Sequence, residues 1–130
     1  MVKWEELELE KKIIEVLSMP EFENKPYLMK SYLTPYQIAI ELTRKYPGIA
    51  KKMGMKIGGK GIGVHTSLAQ YISRMLSTKI KNKEIQNIER AFISMKDITD
   101  MIFRNAANNK TIHPSKANHN TISMYRMKKS

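Results

Sequence analysis

Gln70, Ser73, Arg74, Ser77 and Lys81 recur at three- and four-residue steps, so on a helix they would point outward together. Gln and Arg bond adenine and guanine edges in pairs, Ser bonds a base or a phosphate, and a helix about 10–12 Å across fits the major groove of DNA. Lys51, Lys52, Lys56, Lys60, Lys79, Lys81 and Lys83 flank these residues in sequence, with Arg90 just beyond, and a lysine or arginine neutralises a phosphate without reading a base. The chemistry expected is recognition of a polyanion. A helical hairpin with an ordinary polar exterior would show the same spacing, so the choice between the two rests on charge.

The chain has 130 residues, 23 Lys plus Arg against 12 Asp plus Glu, and a formal net charge of +11. Residues 1–41 carry eight acids and five bases, whereas residues 42–83 carry ten bases and no acid. Residues 84–100 are net −2, and residues 101–130 hold six bases and no acid. A solvated basic surface for solubility does not require the removal of every acid from so long a run, so the segregation favours a polyanionic partner.

Other chemistries find little support. The six glycines all lie between Gly48 and Gly63, but Gly59-Lys60-Gly61-Ile62-Gly63 matches neither phosphate-binding nucleotide fingerprint. A loop that cradles a nucleic-acid phosphate and a plain connection between helices both remain open. His65 stands where it could contact a phosphate or cap a helix, while His113 and His119 match no common zinc spacing. The acids of the first helix stand among lysines as surface pairs rather than as a matched acid and base. Cysteine is absent, which excludes thiol catalysis and thiolate metal sites. No enzyme activity, metal or cofactor is expected. No apolar run approaches a membrane span, and the opening residues lack a signal-peptide pattern, so the expected setting is cytoplasmic with no membrane partner.

These residues need elements to hold them. Periodicity predicts an amphipathic helix over 3–18 and an irregular connection over 20–33. A second helix is expected over 35–46, with Thr34, Pro35 and Gln37 as its capping signature and Ile38, Ala39 and Leu42 facing inward. Residues 48–63 read as a loop. Thr66 or Ser67 caps a third helix over 66–81, with Leu68, Ile72, Met75, Leu76 and Ile80 as its buried stripe. β-favouring residues follow over 83–93, and Ser94 with Asp97 predicts a fourth helix over 95–107. Five asparagines within 105–120 suggest a basic, mobile tail over 105–130 after a domain of 1–104. Within that tail, Thr121 to Met127 alternates as a terminal strand would if an edge received it.

The arrangement resembles the winged-helix group, and more loosely the helix-turn-helix domains attached to restriction and chromatin proteins. The residues that carry the likeness are Leu33-Thr34-Pro35-Tyr36-Gln37-Ile38-Ala39, Ser67-Leu68-Ala69-Gln70-Tyr71-Ile72 and Ala91-Phe92-Ile93, within a span of about residues 8–94. The connection from 48 to 64 is longer than a tight turn. The resemblance implies a mainly α, winged helix-turn-helix-like fold with a small β element, and non-enzymatic nucleic-acid binding through the third helix and wing. Duplex DNA is favoured and RNA is the related option; Tyr46 and Tyr71 alone supply aromatics in the basic stretch, which argues against a base-stacking platform for sequence-tolerant single-strand binding. The alternative is a small interaction protein that occupies an acidic surface of a nucleic-acid enzyme or ribonucleoprotein. A homodimer is compatible with either.

Overall fold

The computed structural model describes residues 3–19, 30–58, 67–99, 101–104, 111–112 and 121–128. Its helices are α1 (Lys3–Glu6), α2 (Leu9–Leu17), α3 (Pro35–Lys45), α4 (Ile49–Met53) and α5 (Leu68–Lys81). Its strands are β1 (Ile88–Ser94), β2 (Phe103–Arg104), β3 (Thr111–Ile112) and β4 (Thr121–Met127). Among the described residues the architecture is therefore mixed α/β, with five helices and two small antiparallel sheets.

Two helix starts are set by local chemistry. Thr34 Oγ1 accepts from the Gln37 amide at 3.2 Å while Gln37 Oε1 accepts from the Thr34 amide at 2.8 Å, and Pro35 opens the helix. Ser67 and Gln70 repeat the reciprocal cap at the start of α5, at 3.1 Å in each direction. The remaining free amides of that turn also find partners: Leu68 donates to the Lys56 carbonyl at 2.7 Å and Ala69 to that of Ile57 at 2.9 Å. Gly58 allows this approach, since a Cβ there would lie 3.0 Å from the Tyr36 ring and 3.4 Å from Ala69.

The single amphipathic helix expected over 3–18 is broken. Glu8 takes a left-handed conformation, φ 52 and ψ 46, and separates α1 from α2. Trp4 and Leu9 lie five residues apart, about 140° around a continuous helix, so an unbroken helix could not turn both into one core. The break lets both become buried, with Trp4 beside the Tyr71 ring at 6.4 Å. Within the expected loop, Ile49 and Met53 bury one side of the short helix α4, and Gly54 ends it in the left-handed region at φ 67.

The fourth helix expected over 95–107 is not formed in its described parts, 95–99 and 101–104. Ser94 Oγ accepts from the Lys96 amide, two residues on, which closes a side-chain turn instead of a helix cap. Phe103 then stacks on Tyr36, with centroids 5.4 Å apart and planes 11° from parallel, and enters β2. The alternating segment at the end of the chain does form a strand. β4 pairs antiparallel with β1 from Ile88↔Met127 to Ser94↔Thr121, and Leu33 bridges to Tyr125 on the other side of β4. Part of the presumed tail is thus structural: Tyr125 is fully buried in the same core as Leu9, Ile13, Ile38, Leu42, Leu68, Ile72 and Leu76. Fully burying each aliphatic member is worth about 1.5–3 kcal/mol. The Asn-rich segments 105–110 and 113–120 lie outside the described residues.

The end of α3 is tied to α2 by Tyr46, whose hydroxyl donates to Glu15 Oε2 at 2.5 Å, with Lys45 Nζ 3.7 Å from the same oxygen. The Tyr46 hydrogen bond, helped by the Lys45 and Lys11 charges against a partial desolvation, holds the Glu15 carboxyl below its ordinary range. The same bond, with partial burial, raises the Tyr46 phenol above its ordinary value of 10.0. Linkage fixes the signs. The Glu15 contribution is present above the unfolded carboxyl pKa and is lost as pH falls through the lowered folded one. The Tyr46 contribution is complete below pH 10.0 and is lost as pH rises through the raised folded value. Urea unfolding of the wild type and Tyr46→Phe across pH should therefore differ most near neutrality and converge at both extremes, whereas a difference independent of pH would refute the coupling.

Candidate nucleic-acid interface

The sequence placed Gln70, Ser73, Arg74, Ser77 and Lys81 on one outward face of α5. Packing divides them. Ser77 Oγ lies 2.7 Å and Ser73 Oγ 3.2 Å from the Tyr125 hydroxyl, which also donates to the Ser73 carbonyl at 3.2 Å. The two serines therefore face β4 and are half-buried. The exposed stripe of α5 is Gln70, Arg74, Thr78 and Lys81, at steps of four, four and three. Thr78 was absent from the sequence-based set, although its spacing from Arg74 marks the same face.

Arg74 is pre-positioned. Its guanidinium lies over the Tyr71 ring, 5.5 Å from the centroid, which orients the side chain while the residue remains exposed. Gln70 Oε1 is committed to the cap, so its amide NH2 is the group it can present to a ligand. Lys79 leaves the phosphate-contact set: its side chain is largely covered, with Nζ 3.5 Å from Glu84 and 5.9 Å from the Trp4 centroid.

Lys51, Lys52, Lys56, Arg74, Lys81, Lys83 and Arg90 are exposed and form no ion pair with a described residue. The ion pairs of the neighbouring cations go elsewhere: Arg44 to Glu41, Lys45 to Glu15 and Arg126 to Glu89. No described acid of α1 or α2 forms an ion pair with any of those seven. Lys60, His65 and most of the glycine cluster lie outside the described residues. The amides of Leu68, Ala69 and Gln70 already have protein acceptors, so the first turn of α5 is not a free anion cradle.

A groove of about 310 Å³ opens between the first turns of α3 and α5 and the β1–β4 sheet, lined by Tyr36, Ala69, Gln70, Arg90, Phe92 and Ser123 among others. Arg90 lies over the Phe92 ring at 4.4 Å from its centroid and donates to Ser123 Oγ at 3.1 Å. Phe92 is 56% exposed. The alternation of β1 puts Arg90 and Phe92 on one face, a pairing that could have been read from their i, i+2 spacing. No cluster of three or more metal-ligating side chains occurs among the described residues, and no helix among them is long and apolar enough to cross a membrane. Comparison with protein-family models, curated proteins and solved structures returned no match.

The orientation of α5 depends on the Tyr125 hydroxyl. Tyr125→Phe should cost about 1–3 kcal/mol in urea denaturation, because the buried ends of Ser73 and Ser77 lose a shared partner while ring packing is kept. An unchanged unfolding midpoint would contradict this.

Proposed function

We propose that this protein is a non-enzymatic, winged helix-turn-helix-like binder of duplex DNA. Two features of chain order support the winged reading. The capped pair α3 and α5 forms the helical unit, and β1 and β4 form a strand pair whose long connection would be the wing. The departure from a tight turn is the segment from 46 to 67, which contains α4 and supplies the carbonyls that complete the start of α5.

The observation that carries the reading is the exposed stripe Gln70, Arg74, Thr78 and Lys81, on a helix inside a run of 42 residues without an acid. Arg74 is the residue best placed to read a base edge, since its guanidinium can bond guanine in pairs. Lys51, Lys52, Lys56, Lys81 and Lys83 would act on phosphates, adding affinity without sequence preference. Ser73 and Ser77 have a positioning role through Tyr125 instead of a contact role.

Anisotropy titrations of labelled duplex DNA at several salt concentrations test the proposal. Four to seven phosphate contacts give a slope of log affinity against log salt of about −4 to −6. Arg74→Ala should cost about 1–3 kcal/mol on a preferred sequence and narrow the gap to other sequences, while Lys81→Ala should weaken all sequences alike and flatten the slope by about 1. Affinity indifferent to salt would refute the proposal. Capture of an acidic protein that survives nuclease treatment, without any shift of duplex DNA, would favour the interaction-protein alternative.

A further inference from the structure

Among the described residues, Phe92 and Ile102 are the large apolar side chains left exposed. Ile102 precedes β2 and lines a separate groove with Arg44, Phe103 and Arg104, but as an aliphatic side chain it offers no ring for stacking. Phe92 differs in three respects. It borders the groove at the start of α5, it carries the Arg90 guanidinium on its ring, and Arg90 has no carboxylate partner among the described residues. An exposed phenyl ring costs solvation that a solubilising surface would avoid, whereas an arginine fixed on an aromatic ring is half of a stacking site for a further flat, electron-rich group.

The groove has the chemistry of a nucleobase seat. At about 310 Å³ it falls at the small end of ligand-binding clefts. The Phe92–Arg90 pair offers a stacking surface, the Gln70 amide NH2 is left as a donor after Oε1 serves the cap, and the Ser123 hydroxyl stands beside the Arg90 guanidinium. Paired bases in a continuous duplex cannot expose a face to such a site, so the occupant must come from a strand that has left the stack.

We infer that the groove between α5 and the β1–β4 sheet holds one unstacked nucleobase against the Phe92–Arg90 pair, so that the protein prefers duplex bordered by single strand over uninterrupted duplex. This rests on the nucleic-acid reading above and specifies which nucleic-acid form the site takes. Stacking of one base on an aromatic side chain is worth an affinity gain of about 5- to 150-fold.

The test compares a blunt duplex with the same duplex carrying a short 3′ or 5′ single-stranded overhang, by anisotropy at fixed salt, for the wild type, Phe92→Leu and Phe92→Trp. The expected result is tighter wild-type binding of at least one overhang form, loss of that gain in Phe92→Leu, its retention in Phe92→Trp, and blunt-duplex affinity unchanged in both variants. Phe92 is exposed, and matching thermal midpoints of the three proteins would separate a binding effect from a folding one. Equal wild-type affinity for blunt and overhang forms, or a gain that survives in Phe92→Leu, overturns this inference and leaves duplex binding standing. Absence of binding to any of the three DNAs overturns both.

Discussion

The Tyr125 side chain is the constraint on which the arrangement depends. Its ring is fully buried, its hydroxyl meets Ser73 and Ser77 on α5, and its backbone exchanges two 2.8 Å hydrogen bonds with Leu33 just ahead of α3. One residue near the end of the chain therefore fixes the rotation of α5 and the entry into α3 together. A phenol is suited to the task because it combines a large apolar body with a polar tip that must find a partner when buried. With the serine flank of α5 turned to β4, Arg74 and Lys81 are left on the solvent side.

Charge follows from the same packing. The amino-terminal helices carry half of the acids of residues 1–41, and one of these, Glu15, is engaged with Tyr46 and Lys45 at the end of α3. Glu84 and Glu89 are similarly matched to Lys79 and Arg126. Among the described residues, the exposed cations without such partners include Lys51 and Lys52 on α4, Arg74 and Lys81 on α5 and Arg90 on β1, along with Lys3 and Lys11 on the amino-terminal helices. Exposed ion pairs of this kind add little stability, so their main physical consequence is to decide where uncompensated positive charge remains.

What the sequence made legible was local. Thr34 with Gln37 and Ser67 with Gln70 cap their helices through atoms three residues apart, and spacing alone predicts that. The alternation from Thr121 to Met127 also marked a strand, but whether anything received it depended on a partner more than 25 residues away in sequence. The Glu8 break was hidden because the residue disfavours its left-handed conformation, and only burial of both Trp4 and Leu9 compensates. Ser94 carried a cap signature, and its side chain closed a tighter turn instead. Ser73 and Ser77 looked like outward polar residues because the hydroxyl that claims them lies 52 and 48 positions later, respectively. Arg90 was recognised as a cation, whereas its placement on Phe92 required the strand to exist.

The central claim is that a nucleic acid meets the outward side of α5 and the adjoining sheet face. Backbone amide chemical-shift mapping during titration with a short DNA duplex tests that most directly. The account predicts perturbations concentrated at Gln70, Arg74, Thr78, Lys81 and Arg90, with α2 undisturbed around Glu10 and Lys11. Perturbations centred on α2, or scattered evenly over all elements, would contradict it.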